Sequence, residues 1–102
     1  MRLKGHLGWI EADDQYVTIG KKLLGGNTAI PIAQVEGFTF IRADIGLRAM
    51  RVMVAGTSLH TVIRNKKQTM ADPYTVMYRS GREDEFRAFA DVVMAAKAKT
   101  ST

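Results

Sequence analysis

Ser80-Gly81-Arg82-Glu83-Asp84-Glu85-Phe86-Arg87-Ala88-Phe89-Ala90-Asp91-Val92-Val93-Met94 is the stretch that decides the fold. Ser80 and Glu83 have the spacing of a capping box, in which the serine hydroxyl accepts from the Glu83 amide and the Glu83 carboxylate reaches back. Behind them Phe86, Phe89, Ala90, Val93 and Met94 recur at helical spacing and make one apolar stripe. The spacing predicts a helix from about Gly81 to Lys97. Glu83, Asp84 and Glu85 suit its positive pole, and Lys97 and Lys99 its negative pole. The last residues, Thr100-Ser101-Thr102, are expected to fray.

Working outward, the remaining segments alternate as strands do. Leu7 to Ala12, with Trp9 and Ile10, reads as the first strand, and Asp13-Asp14-Gln15 as a turn. Tyr16 to Lys22 alternates, with Val17 and Ile19 on one face. Gly25-Gly26-Asn27 supplies residues that tolerate positive φ, and a strand from Thr28 to Ile32 follows. Pro31 cannot donate to a ladder, so it belongs at an edge or a strand end. Glu36 to Arg42, Leu47 to Val54, Leu59 to Ile63 and Pro73 to Tyr78 complete a set of about seven strands. Short turns between successive strands imply antiparallel sheets. The chain is expected to be mainly β with one C-terminal helix.

Composition narrows the function classes. The chain of 102 residues fits one domain, residues 1–99 with a short tail. Its 46% apolar content is ordinary for a globular protein. Without cysteine there is no disulfide, no thiolate metal site and no thiol nucleophile. Met1-Arg2-Leu3-Lys4-Gly5-His6 has no apolar segment, so no signal peptide is expected, nor any spanning helix. A cytoplasmic protein is the expectation. The formal charge of +5 is spread over both ends and several loops.

Three stretches, in this order, carry a resemblance to a family. They are Ile30-Pro31-Ile32-Ala33-Gln34-Val35-Glu36-Gly37-Phe38, then Gly46-Leu47-Arg48, then Pro73-Tyr74-Thr75-Val76-Met77-Tyr78 with the helix behind it. The chain resembles the small bacterial pleckstrin-homology-like (PH-like) domains. The resemblance implies a split barrel of two antiparallel sheets, one open end plugged by the helix. It implies no catalytic activity. Members of the group act as adaptors for lipid headgroups, peptides or other subunits, and some assemble into rings. Two features depart from the pattern. The helix carries Phe86 and Phe89 where eukaryotic members usually carry tryptophan. The first hairpin tip is Asp13-Asp14, which would repel the phosphates that inositide-binding members hold there.

No constellation of residues calls for an enzyme. There is no nucleophile elbow, and Gly20-Lys21-Lys22 lacks the rest of a phosphate loop. His6, near a terminus expected to be mobile, and His60, in the Leu59 strand, have no second ligand at a useful spacing, so no metal or cofactor is expected. Trp9 reads as a lid on the core, and the aromatic–basic signature of an RNA-binding sheet is absent, so nucleic acid is not an expected partner. Two basic groups stand out: Lys21 and Lys22 beside Leu23-Leu24, and Arg64, Lys66 and Lys67 in one polar loop. Converging on one rim they would bind anions or an anionic lipid surface.

One strand points to assembly. In Leu47 to Val54, Met50, Val52 and Val54 share one face, and Leu47, Ala49 and Met53 the other. Both faces are largely apolar, so a second subunit is expected to cover one of them. The sequence therefore suggests a non-enzymatic interaction or assembly module that self-associates or holds a protein or peptide. The alternative is a peripheral membrane or polyanion binder acting through its basic loops.

Overall fold

The structure, a computed structural model, describes residues 1–22, 27–55 and 72–100. Among these residues strands β1 (Arg2–Gly5), β2 (Gly8–Ala12), β3 (Tyr16–Lys21) and β4 (Asn27–Pro31) form one antiparallel sheet in that order. A 3-10 turn, Ile32–Gln34, leads into the second sheet of β5 (Val35–Asp44), β6 (Leu47–Val54) and β7 (Thr75–Arg79). A second 3-10 turn, Ser80–Arg82, opens the C-terminal helix α1 (Glu83–Thr100). No helix among the described residues is long and apolar enough to cross a membrane. The Leu59 to Ile63 strand expected from the sequence lies outside the described residues.

One core draws on both sheets and the helix. Ile10, Val17, Ile19 and Ile30 come from the first sheet, Met50, Val52, Val76 and Tyr78 from the second, and Phe86, Phe89 and Val93 from α1. Phe86 and Phe89 are fully buried, each contributing about 1.5–3 kcal/mol relative to exposure. The Tyr78 and Phe86 rings stack 4.2 Å apart. Pro31 closes β4 at the sheet edge, and Ile32 and Val35 fill the core from the crossover.

Three expectations change here. The capping box does not form, because the Ser80 amide donates to the Gly46 carbonyl at 3.0 Å. The Glu83 carboxylate instead accepts from Arg48 and Tyr78 across the sheet and from Arg87 on its own helix. Met50, Val52 and Val54, expected at a subunit interface, point into the chain's own core. Strand alternation sends these even-numbered residues inward, while Ala49 is buried on the other face in a cluster with Ala43 and Met77. Both faces of β6 are thus covered within the chain at these positions, and the need for a covering subunit there falls away.

The third change is at the N-terminus. Arg2–Gly5 is a strand paired with β2 through a tight His6-Leu7 turn, so the sequence reading began the first strand inside a turn. Leu7 has φ 59°, a left-handed backbone that costs a non-glycine residue about 1–2 kcal/mol. The turn docks on the second sheet: the His6 amide donates to the Met77 carbonyl at 2.7 Å. Gly5 permits this approach, since a Cβ there would lie 2.3 Å from the same carbonyl oxygen.

Candidate anion-binding pocket

Strand parity builds a basic pocket on the outer face of the first sheet. Ile10 and Ala12 of β2 face the core, so Trp9 and Glu11, which alternate with them, face out. Register places Lys4 of β1 and Gly20 of β3 on either side of Trp9. The indole lies directly over Gly20, where a Cβ would come within 2.1 Å of the ring. Only glycine leaves space for the ring to lie flat at that point. The Arg2 guanidinium sits above the ring, 4.5 Å from its centroid, in cation–π contact. Lys22 closes the far side, its amide donating to the Leu7 carbonyl at 3.1 Å. The resulting pocket of about 310 Å³ is lined by Arg2, Lys4, Trp9 and Lys22, with Gly5, Leu7 and Gly8 as its floor and wall.

The lining carries three cations and no carboxylate. None of the three makes a salt bridge among the described residues. Glu11 lies opposite Arg2 in register, just outside the lining. Like charges gathered without partners repel one another and attract an anion, the more so at low salt.

The residues named from the sequence fare differently. Lys22 lines the pocket. Its neighbour Lys21 points the other way and donates to the Thr75 carbonyl. Burial holds the Lys21 ammonium below its ordinary range, partly countered by Asp72. Lys21 therefore meets the start of β7 and does not line this pocket. Arg64, Lys66 and Lys67 lie outside the described residues, as do Leu23, Leu24 and His60. Asp13 serves its turn: its Oδ1 accepts from the Gln15 and Tyr16 amides, each at 2.7 Å, and these bonds hold the carboxyl below its usual range. Trp9 is no core lid but a half-buried residue of the outer face. The His6 amide donates to Met77, and among the described residues its Nε2 is buried without a hydrogen-bond partner.

Arg2 and Lys4 were missed by the sequence reading. The signal for them was present: Arg2-Leu3-Lys4 alternates, and Gly5 and Gly8 bracket a two-residue turn.

Two further polar clusters serve the fold. Glu83 binds Arg48 at 2.6 Å, Tyr78 at 3.1 Å and Arg87 at 3.2 Å, tying the start of α1 to β6 and β7. The Arg48 bond is the main cause that holds the Glu83 carboxyl low. Burial first, and the bond to Glu83 next, push the Tyr78 hydroxyl up to about 12. Asp72 accepts from the Tyr74 amide at 3.0 Å and from the Thr75 hydroxyl at 2.8 Å. Arg51 Nε lies 2.9 Å from Asp72, but its N–H is not aimed at the oxygen, so this contact is ionic more than hydrogen-bonded. Among the described residues no three His, Asp or Glu side chains gather as metal ligands would.

Comparison of the chain with family models, with curated proteins and with solved structures gave no match.

Proposed function

We propose that this chain is a non-enzymatic binding module of PH-like architecture that takes anionic ligands in the pocket of Arg2, Lys4, Trp9 and Lys22. The observation that carries the reading is three cations without carboxylate partners gathered around one indole. The order of four strands, three strands and a closing helix supports the PH-like assignment. The polar clusters at Glu83 and Asp72 are engaged in holding sheet to helix and strand to turn, which favours binding over catalysis. The expected ligand group is a phosphate or polyphosphate, because two or three convergent cations match a multiply charged oxyanion.

Calorimetric titration with inorganic polyphosphate tests this. The unmodified chain should bind, and Lys4→Glu with Lys22→Glu should abolish binding without lowering the melting temperature appreciably. Equal binding by the unmodified chain and the double variant would overturn the reading.

Self-association remains a second reading on one observation. The ten-residue strand β5 is an edge of its sheet among the described residues. Such an edge offers main-chain groups to a second copy. Light scattering should then give a mass above the monomer, and a clean monomer would remove this reading.

A further inference from the structure

The pocket holds more than an anion needs, and resting on the anion-binding reading, the geometry points to a single nucleotide unit as its ligand: phosphate on Lys4 and Lys22, planar base on the exposed Arg2 guanidinium stacked over Trp9. A site for phosphate alone requires donors. Here the central wall is an indole laid flat on the sheet, with Gly20 beneath it and the Arg2 guanidinium above. Arg2 and Trp9 are both groups on which a base stacks. Lys4, opposite Trp9 in register, and Lys22 line the same pocket as the ring and supply cations for a phosphate attached to that base. A volume of about 310 Å³ lies at the lower end for small-molecule sites.

Among the described residues the geometry disfavours a lipid bilayer. A membrane-dipping residue must protrude, whereas Trp9 is half-buried and flat. Among the described residues the most exposed large apolar residue, Ile45, which is 85% exposed, lies at the tip of the β5–β6 hairpin and does not line this pocket. The geometry also disfavours a long strand track. Glu11 shares the outer face next to Trp9 on β2, and its carboxylate repels the next phosphate in that direction. The cations and the aromatic ring thus converge on one unit.

Trp9 is the only tryptophan in the chain, so its emission reports on the pocket directly. The probes are thymidine monophosphate, a short oligothymidylate, inorganic polyphosphate of matched charge, and phosphatidylserine vesicles. Oligothymidylate should quench Trp9, and polyphosphate should bind with little quenching. Trp9→Ala, followed by a change in anisotropy of labelled ligand, should weaken oligothymidylate by on the order of tenfold and leave polyphosphate affinity unchanged. Gly20→Ala, which keeps the indole but lifts it from the sheet, should act in the same direction. Quenching by thymidine monophosphate as well assigns a free nucleotide, and quenching by the oligomer alone assigns a unit within a strand; either upholds the inference. Equal weakening of both polyanions by Trp9→Ala, or polyphosphate binding with no response to either nucleotide probe, overturns base stacking and leaves the anion reading standing. Binding to vesicles alone assigns a lipid surface and overturns the nucleotide. Binding to none of the probes overturns both.

Discussion

Arg2, Lys4 and Lys22, which line the pocket on the first sheet, contrast with Arg48, Arg51 and Lys21, which have partners elsewhere in the fold. The second group is engaged by the fold. Arg48 meets Glu83, Arg51 lies against Asp72, and Lys21 donates to the Thr75 carbonyl. Among the described residues the first group's side chains make no salt bridge, and Arg2 lies over Trp9. A cation that has its partner inside the fold contributes to stability, and removing that partner is costly. A cation without one contributes little to stability and is free to meet a ligand. The comparison therefore divides these six basic residues into two sets that should respond oppositely to substitution.

The largest effect should come from a charge with no partner at all. Phe89 is fully buried. Truncating such a residue costs about 3–5 kcal/mol, and a carboxylate in its place adds the penalty of an unpaired buried charge. Phe89→Asp should abolish the cooperative thermal transition. A melt like that of the unmodified chain would break the account of α1 as a core element.

Next comes the loss of one partner from an existing pair. The Arg51 and Asp72 side chains are 12% and 8% exposed. Asp72→Ala leaves Arg51 buried without its carboxylate and removes the acceptor of the Tyr74 amide and the Thr75 hydroxyl. Urea unfolding should show a loss of about 3 kcal/mol. A loss under about 0.5 kcal/mol, the range of surface substitutions, would place Arg51 with the unpartnered set.

Alkaline pH sharpens the same contrast at Tyr78. Its hydroxyl is raised from 10.0 to about 12 in the folded chain. A group raised on folding contributes stability that is fully present below its unfolded value and is lost as pH rises through the folded one. Stability should therefore fall between about pH 10 and pH 12, and Tyr78→Phe should remove that part of the fall. Glu83 acts at the acid end with the opposite sign. Its carboxyl is held low, so its contribution is present above the ordinary carboxylate range and fades as pH drops through the folded value.

Strand parity explains what was legible beforehand and what was not. Val17 and Ile19, or Phe86 and Phe89, declare their side by spacing alone, and the core places them as that spacing requires. Lys21 and Lys22 are adjacent in sequence and were grouped, but alternation sends one to β7 and the other to the pocket. Trp9 was assigned to the core by its hydrophobicity, although Ile10 beside it already faced inward. Strand β1 was hidden because its turn uses Leu7 in a left-handed conformation, where glycine or asparagine would have announced it. Met50 and Val52 were read as surplus apolar surface because a linear pattern does not show that both faces of β6 lie inside one chain.

The most direct measurement is the salt dependence of oligothymidylate binding, a polyanion however its bases lie. The unmodified chain and Arg2→Ala with Lys4→Ala and Lys22→Ala are compared, their thermal melts serving as the control for folding. One phosphate held by these cations gives a slope of log K against log salt of roughly −0.7. The account predicts that slope for the unmodified chain, and a slope near zero with residual affinity for the triple variant, whose melting temperature is unchanged. An unchanged slope in a folded triple variant would contradict it, because the anion would then be held by cations other than Arg2, Lys4 and Lys22.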